Sequence, residues 1–102
     1  MTDSHDRLLE LIYKNSFKYS EEPVFLLASG EKSQYYFNCK AVTLDSEGLA
    51  LVGNVFFDRI KDFRIDAIGG LTMGADPIAI ATSLISFQKG KAIKAFCIRK
   101  EP

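Results

Sequence analysis

The chain has 102 residues, 47% of them apolar and 25% charged, the size of one domain and too small for two independent cores. Thirteen Lys and Arg balance thirteen Asp and Glu, so no net field draws the protein toward nucleic acid or an anionic membrane. His5 is the only histidine and lies by the terminus, so a Ser-His-Asp triad, a Cys-His pair or a multi-histidine metal site is not expected within one chain.

No apolar stretch reaches the ~18–20 residues that span a bilayer. The N-terminus, with Asp3, Asp6 and Glu10 and no early apolar run, does not read as a signal peptide, so the cytoplasm is the expected compartment. Cys39 and Cys97 lie in apolar runs and are expected as buried thiols, since a disulfide scaffold of this size would carry more cysteines.

Residues from about Asp6 to Phe17 predict a helix, with Leu8, Leu9 and Ile12 on one face and Ser4 or Asp3 as cap. Val24 to Ala28 and Tyr35 to Lys40 are β-rich runs on either side of the polar turn Ser29 to Gln34, which predicts a hairpin or two adjacent strands. A second helix follows Asp45 as N-cap, with Leu49, Val52, Phe56, Ile60 and Phe63 as its stripe. Gly48 and Gly53 cost that helix ~1 kcal/mol each relative to alanine, so a neighbouring element is expected to approach them closely. Ile65 to Gly70 and Ile93 to Ile98 then predict strands around a helix opened by Asp76-Pro77, carrying Ile78, Ala81, Leu84 and Ile85. Such a βαβ unit makes its strands parallel, and their two-sided apolarity predicts a sheet covered on both faces.

Three places hold candidate chemistry. The segment Gly69 to Pro77 is a glycine-rich turn between strand and helix, where backbone N–H groups can hold a phosphate. Its spacing fits neither the dinucleotide nor the Walker motif, and the structural alternative is a tight turn with Asp76 as N-cap and Pro77 in the first helical position. Arg99 and Lys100 follow the last strand, at the same sheet end as that turn, where they could neutralise a polyanion or simply be solvated. In Tyr35-Tyr36-Phe37, strand alternation sends Tyr36 to one face and its neighbours to the other, available for stacking on a flat ligand or for the core. Lys32, Lys40 and the carboxylates form no acid–base pair by spacing.

Four blocks in order, Phe25 to Asn38, Leu44 to Leu51, Gly69 to Ala79 and Ala95 to Pro102, resemble bacterial orotate phosphoribosyltransferase. The resemblance implies an α/β type I phosphoribosyltransferase fold, here a partial parallel sheet with flanking helices and an N-terminal hood. Residues 1–44 would form the hood and orotate side, and residues 45–102 the first half of the α/β core, as one domain. It implies a homodimeric enzyme that transfers phosphoribosyl from 5-phosphoribosyl diphosphate (PRPP) to orotate with Mg²⁺, yielding orotidine 5′-monophosphate and diphosphate in pyrimidine synthesis.

Carried over by position, Tyr36 and Phe37 fall beside the orotate ring. Leu71, Thr72, Met73 and Gly74 fall on the loop that meets the diphosphate. Arg99 and Lys100 fall on the phosphate-binding pair, the arginine reaching the partner subunit's site. Ala28 stands where some relatives carry a lysine. The family's mobile loop with lysine and histidine, and its acidic strand end followed by a Thr- and Gly-rich turn for the ribose 5-phosphate, have no counterpart up to Pro102. No catalytic residue or protein metal ligand is therefore expected in these residues, and turnover by them alone is not. A non-catalytic α/β module that binds an anion or orotate, and a phosphoribosyltransferase for another base, are the alternative readings.

Overall fold

A computed structural model of the chain describes residues 3–100. In order, its elements are α1 (Ser4–Asn15), β1 (Phe17–Tyr19), β2 (Phe25–Leu26), β3 (Lys32–Ser33), β4 (Tyr35–Phe37), α2 (Lys40–Thr43), α3 (Ser46–Ile60), β5 (Ala67–Leu71), α4 (Asp76–Gln88) and β6 (Lys94–Ile98). No helix among the described residues is long and apolar enough to cross a membrane.

Asp3 caps α1, its Oδ1 accepting from the N–H groups of His5 and Asp6 at 2.6 and 3.2 Å, so the helix starts two residues before the expected Asp6. It ends at Asn15, and Phe17 passes into a strand. The buried face is Leu8 and Leu11, not the expected Leu8, Leu9 and Ile12, for Leu9 is 59% exposed and Ile12 only packs at the core margin. Arg7 fastens α1 to α3 with two bonds to Glu47, Nε to Oε2 at 2.8 Å and Nη2 to Oε1 at 2.9 Å. Those bonds and the opposite charges hold the Glu47 carboxyl below its ordinary range and raise the guanidinium further.

The expected pairing of Val24–Ala28 with Tyr35–Lys40 does not form. Gly30 takes φ +90°, which a residue with a side chain rarely adopts, and the chain reverses there with Leu27 N–H donating to Glu31 O at 2.8 Å. The reversal pairs β2 with β3 inside the polar segment, Phe25 opposite Ser33. That leaves β4 to pair antiparallel with β1, Phe17 opposite Phe37 and Tyr19 opposite Tyr35. Lys40 is not in a strand either, because the chain turns after Asn38 into the single turn of α2.

Asp45 caps α3 as expected, accepting from Gly48 N–H at 2.9 Å. The buried face of α3 is Gly48, Val52, Gly53 and Phe57, whereas Phe56 and Phe63 of the expected stripe are 40% and 66% exposed. The close packing lies at the two glycines, which rotates the contact face toward them. A Cβ on Gly48 would collide with the Val42 carbonyl of α2, and one on Gly53 would lie 2.8 Å from Ala81 O of α4. The expected close approaches thus occur at both. Leu8, Leu11, Val42 and Val52 form the core where α1, α2 and α3 meet.

β5 and β6 pair in parallel, from Ala67 opposite Lys94 to Leu71 opposite Ile98, as the βαβ reading requires. Ser83 Oγ donates to Ile93 O at 2.7 Å and Ile93 N–H donates to Ser86 Oγ at 3.2 Å, which ties α4 to the entry of β6. Of the helices, α4 packs on both strands and α3 packs on α4. The expected second cover is absent among the described residues, so Leu71, Phe96 and Ile98 remain 58%, 45% and 46% exposed. Cys39 and Cys97 are exposed free thiols, not the buried ones their apolar neighbours suggested, because those neighbours are themselves uncovered. The radius of gyration of 15.5 Å accordingly exceeds the ~13 Å of a close-packed domain of this length.

Candidate ligand site at the strand ends

The register makes Leu71 and Ile98 the last paired residues, and Thr72 N–H donates to Ile98 O at 2.9 Å. Residues 72–75 and residues 99–100 therefore leave the sheet at one edge. Within the turn, Ala75 N–H donates to Leu71 O and Asp76 N–H to Met73 O, both at 3.2 Å, and the Thr72–Met73 peptide is cis. The N–H groups of Met73 and Gly74 have no acceptor among the described residues, and no side chain caps α4. Unpaired donors at the positive end of a helix dipole favour an anion. Arg99 and Lys100, on the adjoining strand end, are exposed and take part in no ion pair among the described residues.

Asp76 is the first helical residue, not the expected cap, and Pro77 follows in the second position. Ala75 already has helical dihedrals of −80° and −20°, so the helix begins before Asp76 could take the extended conformation of an N-cap. The carboxylate turns back to the loop instead: Asp76 Oδ2 accepts from Thr72 Oγ at 2.6 Å. The Cys97 thiol faces the same carboxylate, and hydrogen bonding to Asp76, burial and the Asp76 charge raise its pKa.

Tyr36 and Phe37 sit apart from that turn in sequence and point to opposite faces of β4, as alternation requires. Tyr36 stacks on Phe25, with ring centroids 5.9 Å apart, while Phe37 leans on Phe17 at 5.0 Å. Both stay accessible, at 39% and 58% exposure, so they are not core residues.

Lys40 is the residue that spacing did not connect to anything. It lines a cleft of about 280 Å³ with Leu44, Met73, Gly74, Asp76 and Ile80, between α2 and the strand-to-helix turn. The only available signal was Asn38-Cys39 interrupting the aromatic alternation, which hints at the turn but not at where Lys40 goes. A larger cleft of about 850 Å³ lies elsewhere, between the start of α1 and the C-terminal half of α3, with His5, Asn54, Arg59 and Lys89 on its walls. Among the described residues no three His, Cys, Asp or Glu side chains gather as a metal site.

No protein-family profile matches the chain. Solved structures do share its fold: a Mycobacterium tuberculosis orotate phosphoribosyltransferase in complex with Fe(III) dicitrate superposes with a TM-score of 0.79 at 32% identity, over 97% of this chain and 55% of that one. A phosphoribosyltransferase from Corynebacterium diphtheriae superposes at 0.77 with 27% identity, over 99% and 53%. The fold is that of the type I phosphoribosyltransferases.

Sequence relatives narrow the class. Orotate phosphoribosyltransferase of Aquifex aeolicus is 47% identical over 97 residues, 95% of this chain and 53% of the relative. That of Bradyrhizobium diazoefficiens is 46% identical over 99 residues, 97% and 51%. The chain is homologous to part of the orotate phosphoribosyltransferases and spans about half the length of the curated relatives it matches.

Proposed function

We propose that these residues are the orotate-side and diphosphate-side portion of an orotate phosphoribosyltransferase. The observation that carries this reading is that the shared ends of β5 and β6 carry the Met73 and Gly74 N–H donors and the cations Arg99 and Lys100, none of them paired among the described residues. A M. tuberculosis orotate phosphoribosyltransferase that superposes at TM-score 0.74 and 33% identity was solved with PRPP, which supports PRPP as the ligand here. In this reading residues 1–44 form a hood that offers Tyr36 and Phe37 to the orotate ring, and residues 45–102 begin the α/β core.

The reaction joins an orotate ring nitrogen to C1 of the ribose as the bond from C1 to the diphosphate oxygen breaks. Positive charge grows on the sugar and negative charge on the departing diphosphate. The turn at residues 71–74 meets that diphosphate with the backbone N–H groups of Met73 and Gly74, and Arg99 and Lys100 add charge that grows in worth as the bond breaks. Arg99 reaches a second subunit in a homodimer, and the protein works in the cytoplasm. The site fits Mg²⁺ only as a ligand-borne ion, since Asp76 is the one carboxylate at the turn among the described residues. Mg²⁺ commonly keeps several waters and is held by one or two carboxylates together with substrate phosphates. When bound, it would neutralise diphosphate charge.

Calorimetric titration of orotate and of diphosphate into the chain tests the reading. Binding of both is expected. A non-catalytic module selective for anions would bind diphosphate alone, and a purely structural one neither. A transferase for another base would bind diphosphate and prefer a base other than orotate.

A further inference from the structure

Lys40 stands outside every residue that the sequence reading placed at the ligand. Its chain position, 33 residues before Met73, gives no reason to join the two. The fold does so through α2. The chain breaks from β4 at Asn38, and α2 brings Lys40 to the wall of a cleft that Met73 and Gly74 also line. Lys40 is exposed and has no acidic partner among the described residues, whereas the lysines at 14 and 61 are each paired with a carboxylate on their own helix or at its end.

The rest of that cleft is mainly apolar, with Leu44, Pro77 and Ile80 on it. One anionic group also lines it, Asp76, whose Oδ2 is occupied by Thr72. The Lys40 ammonium is exposed and water-screened, so it would act on an anion seated on the Met73 and Gly74 donors by direct contact at the shared cleft and not through a long-range field.

We infer that Lys40 is a further diphosphate-binding residue, reaching the anion from α2 through the cleft that it lines with Met73 and Gly74. The inference rests on the proposed reading of the loop and names a residue that this reading does not contain. In it, the anion is held on three sides: backbone N–H groups of the turn, Arg99 and Lys100 from the strand end, and Lys40 from α2. Because α2 belongs to the N-terminal segment, Lys40 would also couple occupancy of the diphosphate position to the placement of β4, only three residues upstream.

Diphosphate and, separately, orotate are titrated into the unaltered chain, Lys40→Gln, Lys40→Arg and Lys18→Gln, with circular dichroism as the check on folding. Lys18 lies on exposed β1 and serves as the surface-charge control. Expected are about tenfold weaker diphosphate binding by Lys40→Gln, substantial recovery by Lys40→Arg, little change by Lys18→Gln and unchanged orotate binding. Equal diphosphate affinity in the unaltered chain and Lys40→Gln overturns the assignment of Lys40 while leaving the loop reading intact. A loss confined to orotate, or an equal loss in Lys18→Gln, also overturns it. If the unaltered chain binds no diphosphate, the loop reading itself fails and Lys40 falls with it. Should Lys40→Gln not fold, the salt dependence of diphosphate binding decides between Lys40→Arg and Lys40→Met, with an equal slope in both overturning the inference.

Discussion

Replacing Gly53 by alanine sets two effects of opposite sign against each other in one helix. Alanine in the interior of α3 gains about 1 kcal/mol of intrinsic helix propensity over glycine. The added methyl, however, would lie 2.8 Å from Ala81 O and 2.9 Å from Ile85 Cγ1 of α4, where ordinary contact starts at 3.4 Å. Ile85 can rotate away, but the Ala81 carbonyl is helix backbone, so α3 and α4 must separate by roughly half an ångström to reach ordinary contact. Overpacking of this kind costs about 1–3 kcal/mol, and a backbone obstacle places it toward the upper end. The net expectation is a loss of about 1–2 kcal/mol. At roughly 4–8 °C per kcal/mol for a domain near this size, the melting temperature falls by about 5–15 °C. Thermal unfolding followed by circular dichroism at 222 nm reads the shift. A rise in melting temperature would mean that propensity wins and that the two helices do not meet as closely as the structure places them. The contact matters for the ligand turn because α4 begins at that turn, and its position is set by packing against α3 and by the Ser83 and Ser86 bonds to Ile93.

Arg99→Ala and Lys100→Ala are each expected to weaken diphosphate binding by about tenfold, the scale of one charge-assisted hydrogen bond, while the far-ultraviolet spectrum stays unchanged; loss of the fold instead would mark a structural role. Asp76→Asn removes the carboxylate that raises the Cys97 thiol, so the pH midpoint of Cys97 alkylation should move down toward the usual thiol value, and an unmoved midpoint would separate the two groups. The Glu47 carboxyl is depressed by Arg7, so its contribution to stability is present above the ordinary carboxylate value and is lost as pH falls through its lower folded value. The raised Arg7 value lies far above the working range, so that side of the pair stays charged throughout. The difference in melting temperature between the unaltered chain and Arg7→Met should accordingly be constant near neutrality and shrink in acid; a difference that grows in acid would contradict the pairing. In an assay for orotidine 5′-monophosphate, the 102 residues supplied with PRPP, orotate and Mg²⁺ are expected to give no turnover, and a rate near that of a full-length relative would refute the reading that these residues lack the ribose-phosphate contacts.

The elements that the sequence disclosed are the ones specified by short-range chemistry. Asp45 as a cap, the parallel βαβ unit and the close approaches at Gly48 and Gly53 each follow from a residue type and its immediate neighbours. Where the outcome depended on tertiary competition, the reading missed. Tyr35 to Phe37 looked like the partner of Val24 to Ala28 because both are β-rich, yet the positive φ of Gly30 closes the hairpin early and gives β4 to β1, a strand too short to show a period. Phe56 and Phe63 fit a helical stripe by count, but small residues let α3 approach its neighbours, and the buried face follows Gly48 and Gly53.

The candidate site was legible in the same uneven way. The turn and the Arg99-Lys100 pair could be placed together from the rule that parallel strands end at one edge. Lys40 could not, because its approach to Gly74 depends on a one-turn helix that no periodicity announces. The Asp76 carboxylate was expected to cap a helix and instead holds Thr72, a difference decided by the helical dihedrals of Ala75.

In the proposed function the anion site lies at the ends of β5 and β6 and not in the larger cleft beside α1. Titrating PRPP with Mg²⁺ into the uniformly ¹⁵N-labelled chain and following the amide resonances tests it directly. The amides of Met73, Gly74, Arg99 and Lys100 are expected to shift first and furthest, saturating together, while those of His5, Asn54 and Arg59 stay in place. Shifts concentrated at His5, Asn54 and Arg59, or none at Met73 and Gly74 at saturating ligand, would contradict it.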